Sequence, residues 1–96
     1  MNGRVDFLQT LDTLVEQRKA ASTDASYTAK LFAAGESRIA QKLGEEAVEL
    51  VIASVQDGRA RIVAEAADLI YHLLVLLRSH DLSLQDVVIE LEERHR

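Results

Sequence analysis

Apolar residues recur at helical spacing along most of the chain. Val5, Leu8, Leu11, Leu14 and Val15 predict a first helix over about residues 4–20. Residues 21–27 are small and polar and read as a linker. A short helical piece over residues 28–34 stops at Gly35, a residue suited to a helix C-terminus. A second long helix is expected from near Ser37 to Asp57 and Gly58. Its wheel puts Ile39, Leu43, Ala47, Leu50, Val51 and Val55 on one side. Arg38, Gln41, Lys42, Glu45, Glu46, Glu49 and Gln56 make a polar stripe on the other.

A third helix, over about residues 59–79, differs in kind. Ile62, Val63, Leu69, Ile70 and the run from Leu73 to Leu77 cover nearly its whole circumference. A helix apolar all round belongs at the centre with neighbours on every side, and so short a chain can hardly supply them. A homodimer that shares this helix is therefore expected. Ser83 and Asp86 have the spacing of a capping box, which would open a last helix with Leu84, Val87, Val88 and Leu91 turned inward. The fold class is all-α: a single domain over residues 1–96, built as an antiparallel bundle of four to five helices and completed by dimerisation.

Composition narrows this picture in a few places. With 96 residues there is room for one domain. The chain has no cysteine, which excludes disulfides and zinc–thiolate sites. It has no proline and only four glycines, which favours long helices joined by short turns. A net charge of -5 argues against coating nucleic acid, though not against a nucleotide whose charge a metal offsets. The N-terminus lacks the pattern of a signal peptide, and the most apolar stretch, residues 69–77, is too short to span a bilayer. A cytoplasmic protein with no membrane partner is expected.

The candidate chemistry lies in two acidic pairs. Glu46 and Glu49 are three residues apart on the second helix, and Glu65 and Asp68 repeat that spacing on the third. Residues 50–64 suffice to end one helix, turn at Gly58 and start back, so antiparallel packing would gather four carboxylates. Their repulsion calls for a hard divalent cation, and Mg2+ prefers such oxygen ligands and often bridges to phosphates. Metal-activated water attacking a phosphoanhydride then follows. The plainer readings are a solvated face for Glu45, Glu46 and Glu49, with Lys42 and Glu46 as an ordinary i,i+4 pair. For Glu65 the plainer reading is an i,i+4 pair with Arg61. Glu65 and Asp68 resist it better, because they interrupt an otherwise apolar helix where an unpaired charge is costly.

The spacing Glu46-Ala-Val-Glu49 and Glu65-Ala-Ala-Asp68 resembles the ExxE…ExxD signature of all-helical nucleoside triphosphate pyrophosphohydrolases. The segments SYTAKLF at 26–32, KLGEEAVE at 42–49 and EAADLIYHLLV at 65–75 are similar to the phosphoribosyl-ATP pyrophosphatase branch. The resemblance spans about residues 7–94. It implies hydrolysis of phosphoribosyl-ATP to phosphoribosyl-AMP and pyrophosphate in L-histidine biosynthesis, with magnesium on Glu46, Glu49, Glu65 and Asp68. It also implies the stand-alone form, since the chain lacks room and cysteines for the cyclohydrolase fused to it elsewhere.

On that resemblance, Glu45 is a candidate for orienting or deprotonating the attacking water, with Glu46 and Glu49 as alternative bases. Lys30, Arg38 and Lys42 are the nearest cations for the phosphates, or else solvated side chains. Ser26 and Tyr27 could fold over the substrate, or cap and pack. His72, one turn after Asp68, is expected to hydrogen-bond that carboxylate as a core histidine or as the group orienting it. Two other readings stand beside this one. A house-cleaning pyrophosphatase would share the metal site but act on NTPs or dNTPs, and a non-catalytic dimerisation module would use the apolar third helix alone.

Overall fold

A computed structural model describes residues 3–56 and 58–96. Met1, Asn2 and Asp57, the residue expected to close the second long helix, lie outside them. Five α-helices follow one another: α1 (Phe7–Gln17), α2 (Tyr27–Ala34), α3 (Glu36–Gln56), α4 (Arg59–Ser79) and α5 (Leu84–Arg94). Among the described residues there is no strand. The all-α reading therefore holds. The expected first helix is α1 with a 3-10 turn at each end, Arg4–Asp6 and Arg18–Ala20.

Local chemistry fixes the boundaries. The Ser26 side chain accepts the amide hydrogen of Ala29 and caps α2, so the polar linker ends one residue before Tyr27. Gly35 ends α2 at φ 96°, where a side chain is strained, and α3 starts at the next residue. Ser83 and Asp86 form the expected capping box at the start of α5. Just before it, Asp81 takes φ 59°, and the Leu82 amide reaches back to the Leu77 carbonyl at 2.9 Å. That closes α4 in the left-handed manner usually given to glycine.

α3 and α4, each of 21 residues, pack on one another as the main contact of the fold. Residues on either side of the connection at Gly58 meet across the pair, which is the antiparallel register. At the end far from Gly58, α1, α2 and α5 cover the hairpin. There Val15, Leu31, Ile39, Leu74, Val75 and Leu77 form the core, with Leu11, Phe32, Leu84 and Val87 around it.

Two expectations of the wheel fail. Val51 and Val55 are exposed, because among the described residues no helix covers that face of α3 near Gly58. Val88 and Leu91 are likewise exposed, since α5 touches α1 only by its first turns, through Leu84 and Val87. The buried apolar residues of α4, Leu74, Val75 and Leu77, all lie in its second half, while Val63 and Ile70 face outward.

A buried ion pair ties the covered end together. Asp12 is fully buried, and Arg78 grips both its oxygens, Nε at 2.9 Å and Nη2 at 2.8 Å. The Leu84 amide donates to Asp12 at 3.1 Å. One carboxylate thus joins α1, α4 and the first turn of α5. The hydrogen bond to Asp12 is the main cause that raises the Arg78 guanidinium above its ordinary pKa. No helix among the described residues is long and apolar enough to cross a membrane.

Candidate divalent-cation site

Near the middle of the α3–α4 pair, Glu46, Glu49 and Glu65 each present a carboxylate oxygen, and these lie within 4.8 Å of one another. Glu46 and Glu65 are buried, at 8% and 3% exposure, while Glu49 faces solvent. The polar stripe of α3 is therefore not all solvated: Glu46 turns under α4. Asp68, one turn beyond Glu65, is exposed and stands outside the group of three.

Glu65 is the informative member. Arg61 pairs with its Oε2 from one turn earlier, as the structural alternative required, but through a largely exposed side chain. Its Oε1 is buried with no hydrogen-bond partner. A buried carboxylate oxygen left bare costs on the order of 1–3 kcal/mol or more. Two further carboxylates beside it add repulsion. Oxygen-only donors, close spacing and an orphaned buried atom are what a hard divalent cation would complete.

Cations and hydrogen bonds frame the cluster. Lys42 lies 3.4 Å from Glu45 and 3.7 Å from Glu46. Desolvation pulls its ammonium pKa down, but Tyr27, Glu45 and Glu46 outweigh that, and the net shift is upward. Gln41 donates to Glu45 at 2.9 Å; this bond first, then Lys42 and Arg38, holds the Glu45 carboxyl below the usual range. Lys30 and Arg38 are exposed and in no ion pair among the described residues. An open groove on α3, about 620 Å³, runs past Gly44, Glu45, Val48, Glu49 and Ile52.

The expected contact of His72 is altered. It is buried, but its Nδ1 lies 2.8 Å from the main-chain carbonyl oxygen of Asp68, not from the carboxylate. Its Nε2 faces the Tyr27 hydroxyl at 3.5 Å. Tyr27, Tyr71 and His72 form an aromatic cluster, and Thr28 hydrogen-bonds the Tyr71 hydroxyl. Burial raises the Tyr71 pKa, against the lowering effect of Thr28. Tyr71 had not been singled out from the sequence, although it lies within EAADLIYHLLV, three residues after Asp68.

Fold and site together define an all-helical protein whose central hairpin gathers three carboxylates, two of them buried. Comparison with known proteins makes this specific: the chain belongs to the phosphoribosyl-ATP pyrophosphohydrolase family, whose pattern it matches over residues 8–95. It is 56% identical over 87 residues to the phosphoribosyl-ATP pyrophosphatase of Agrobacterium fabrum, covering 91% of this chain and 81% of that one. The corresponding protein of Methylobacterium nodulans is 55% identical over the same coverage. The histidine biosynthesis bifunctional protein HisIE of Vibrio parahaemolyticus is 52% identical over 90 residues, 94% of this chain. The chain spans 43% of that bifunctional relative's length.

Proposed function

We propose that this protein hydrolyses phosphoribosyl-ATP to phosphoribosyl-AMP and pyrophosphate, the step its relatives' names assign to histidine biosynthesis. The observation that carries the reading is the bare, buried Glu65 Oε1 beside Glu46 and Glu49 in a chain of this family.

Magnesium is the proposed cofactor, held by Glu46, Glu49 and Glu65 with Asp68 as the fourth acid on the same face of α4. When bound, the ion supplies charge neutralisation for the triphosphate and a more acidic water. The chain's own groups do the rest. Water adds at the α-phosphorus, the bond to the oxygen bridging to the β-phosphorus breaks, and pyrophosphate leaves. Lys42, Lys30 and Arg38 hold the phosphates and stabilise charge growing on the leaving group. Glu45, kept ionised by Gln41 and Lys42, is a weak base but a steady acceptor, so its role is to orient the water. Glu46 or Glu49 takes the proton. Ser26 caps the start of α2, the helix that carries Tyr27 and Lys30.

The protein acts as a homodimer in this reading. Val48, Val51, Ile52 and Val55 follow helical spacing along α3 and are exposed, as are Val63 and Ile70 on α4. So continuous an apolar face on a soluble helix pair calls for a cover, and a second copy of the same hairpin supplies one. Val51→Lys should convert the dimer to a monomer in sedimentation.

The function is tested by incubating the protein with phosphoribosyl-ATP, with and without magnesium, beside a panel of NTPs and dNTPs. Magnesium-dependent pyrophosphate release from phosphoribosyl-ATP alone is expected. Comparable release from ordinary nucleotides would move the chain to a house-cleaning role, and no release by a folded dimer would sink the proposal.

A further inference from the structure

The chain contains two tyrosines and no tryptophan, and both tyrosines meet His72 beside the acidic cluster. Tyr71 is the inner one: half-buried, 4.9 Å from the His72 ring at an edge-on angle of 82°. Tyr27 is the outer one. Its ring lies 6.3 Å from Tyr71, tilted by 29°, and 6.3 Å from His72 at 78°. Yet Tyr27 keeps 53% of its surface exposed. A tyrosine that served packing alone would bury its faces, whereas this one is backed on one side and open on the other. It stands where α2 crosses the helices that carry Lys42 and Asp68.

The hydrogen-bond pattern explains what holds the ring. The Asp68 carbonyl oxygen can only accept, so His72 Nδ1 carries the proton, and in the neutral ring Nε2 is left as an acceptor. The Tyr27 hydroxyl at 3.5 Å is the group that donates to it, at the outer edge of hydrogen-bonding distance. His72 is itself held by burial and by that carbonyl, so it is a fixed post for the Tyr27 ring.

We propose that the open face of Tyr27 is the wall on which the purine of the substrate stacks, and that His72 is a positioning residue that fixes the ring's orientation through the hydroxyl. Purine stacking needs only a flat, backed, exposed aromatic set apart from the acids that would hold the metal, and Tyr27 is the aromatic so placed. The proposal rests on the nucleotide hydrolysis proposed above.

Steady-state kinetics with phosphoribosyl-ATP and magnesium test it. Tyr27→Ala should raise KM about tenfold or more with kcat little changed. Tyr27→Phe keeps the ring but loses its tether, and should raise KM only a few-fold. His72→Phe should match Tyr27→Phe, the double variant should be no worse than either single one, and His72→Gln, which restores an acceptor, should recover most of the parent KM. An unchanged KM in Tyr27→Ala, additive effects in the double variant, or a His72→Gln defect confined to kcat and magnesium requirement would overturn it. A second readout does not need turnover. In Tyr71→Phe, Tyr27 is the sole tyrosine, and titration with ATP and magnesium should quench its emission. Quenching without pyrophosphate release from phosphoribosyl-ATP would sink the hydrolase reading and leave the stacking wall standing. Turnover without quenching would sink the stacking wall alone.

Discussion

Two buried carboxylates, Asp12 at the covered end of the fold and Glu65 near the middle of the α3–α4 pair, are treated differently. Asp12 is fully buried, and both its oxygens are taken, by the Arg78 fork and the Leu84 amide. Glu65 is buried nearly as deeply, yet only one oxygen has a partner, the exposed Arg61. The Asp12 end is covered by three other helices; the middle, at Glu65, opens between acids and an uncovered apolar face. A satisfied buried charge specifies how elements join, while an unsatisfied one beside others of its sign invites a ligand.

Three changes would break or sharpen this contrast. Asp12→Ala should cost about 3–5 kcal/mol, because it removes the bidentate partner of Arg78 and the acceptor of the Leu84 amide. Among the described residues Arg78 would keep only Glu16, at 3.7 Å; urea unfolding measures the loss. A loss under about 1 kcal/mol would show that the junction of α1, α4 and α5 does not depend on the pair. Glu65→Gln should do the opposite in chelator, raising the melting temperature or leaving it level, because the bare charge is gone. It should also abolish the stabilisation by magnesium and cut hydrolysis by about 100-fold or more. A magnesium shift that survives this substitution would place the ion elsewhere. Smallest is Arg61→Gln: losing the one charged partner that buried Glu65 has among the described residues should cost about 1–3 kcal/mol without metal. Freeing the second Glu65 oxygen should lower the magnesium concentration needed for half-maximal activity, and a raised requirement would mean that Arg61 helps the site.

The sequence makes the helices legible because their punctuation is local: Gly35, Gly58 and the Ser83–Asp86 pair mark ends whatever the rest of the chain does. The spacing of Glu46, Glu49 and Glu65 was enough to gather them, since one short turn forces the register. Asp12 was missed, although it lies with Leu8, Leu11 and Val15 on the apolar face of α1, where a charge asks for a partner. That partner, Arg78, lies across the whole chain, and periodicity carries no such information. Exposure along α3 was misjudged for a related reason. A wheel tells which residues share a face, and only the neighbours decide which face is covered. Val51 and Val55 share one without a cover in this chain, while Glu46 sits under α4.

Gly35 carries a consequence of its own. α2 and α3 are joined by this residue alone, so its backbone torsions, φ 96° and ψ 172°, set the angle between the helix bearing Tyr27 and the helix bearing Glu46. A methyl group there would meet nothing within 4 Å, so the restriction is torsional and not steric. A residue outside the acidic cluster thus fixes how the proposed base-stacking and phosphate-binding sides face one another, and replacing it would misalign two otherwise intact halves.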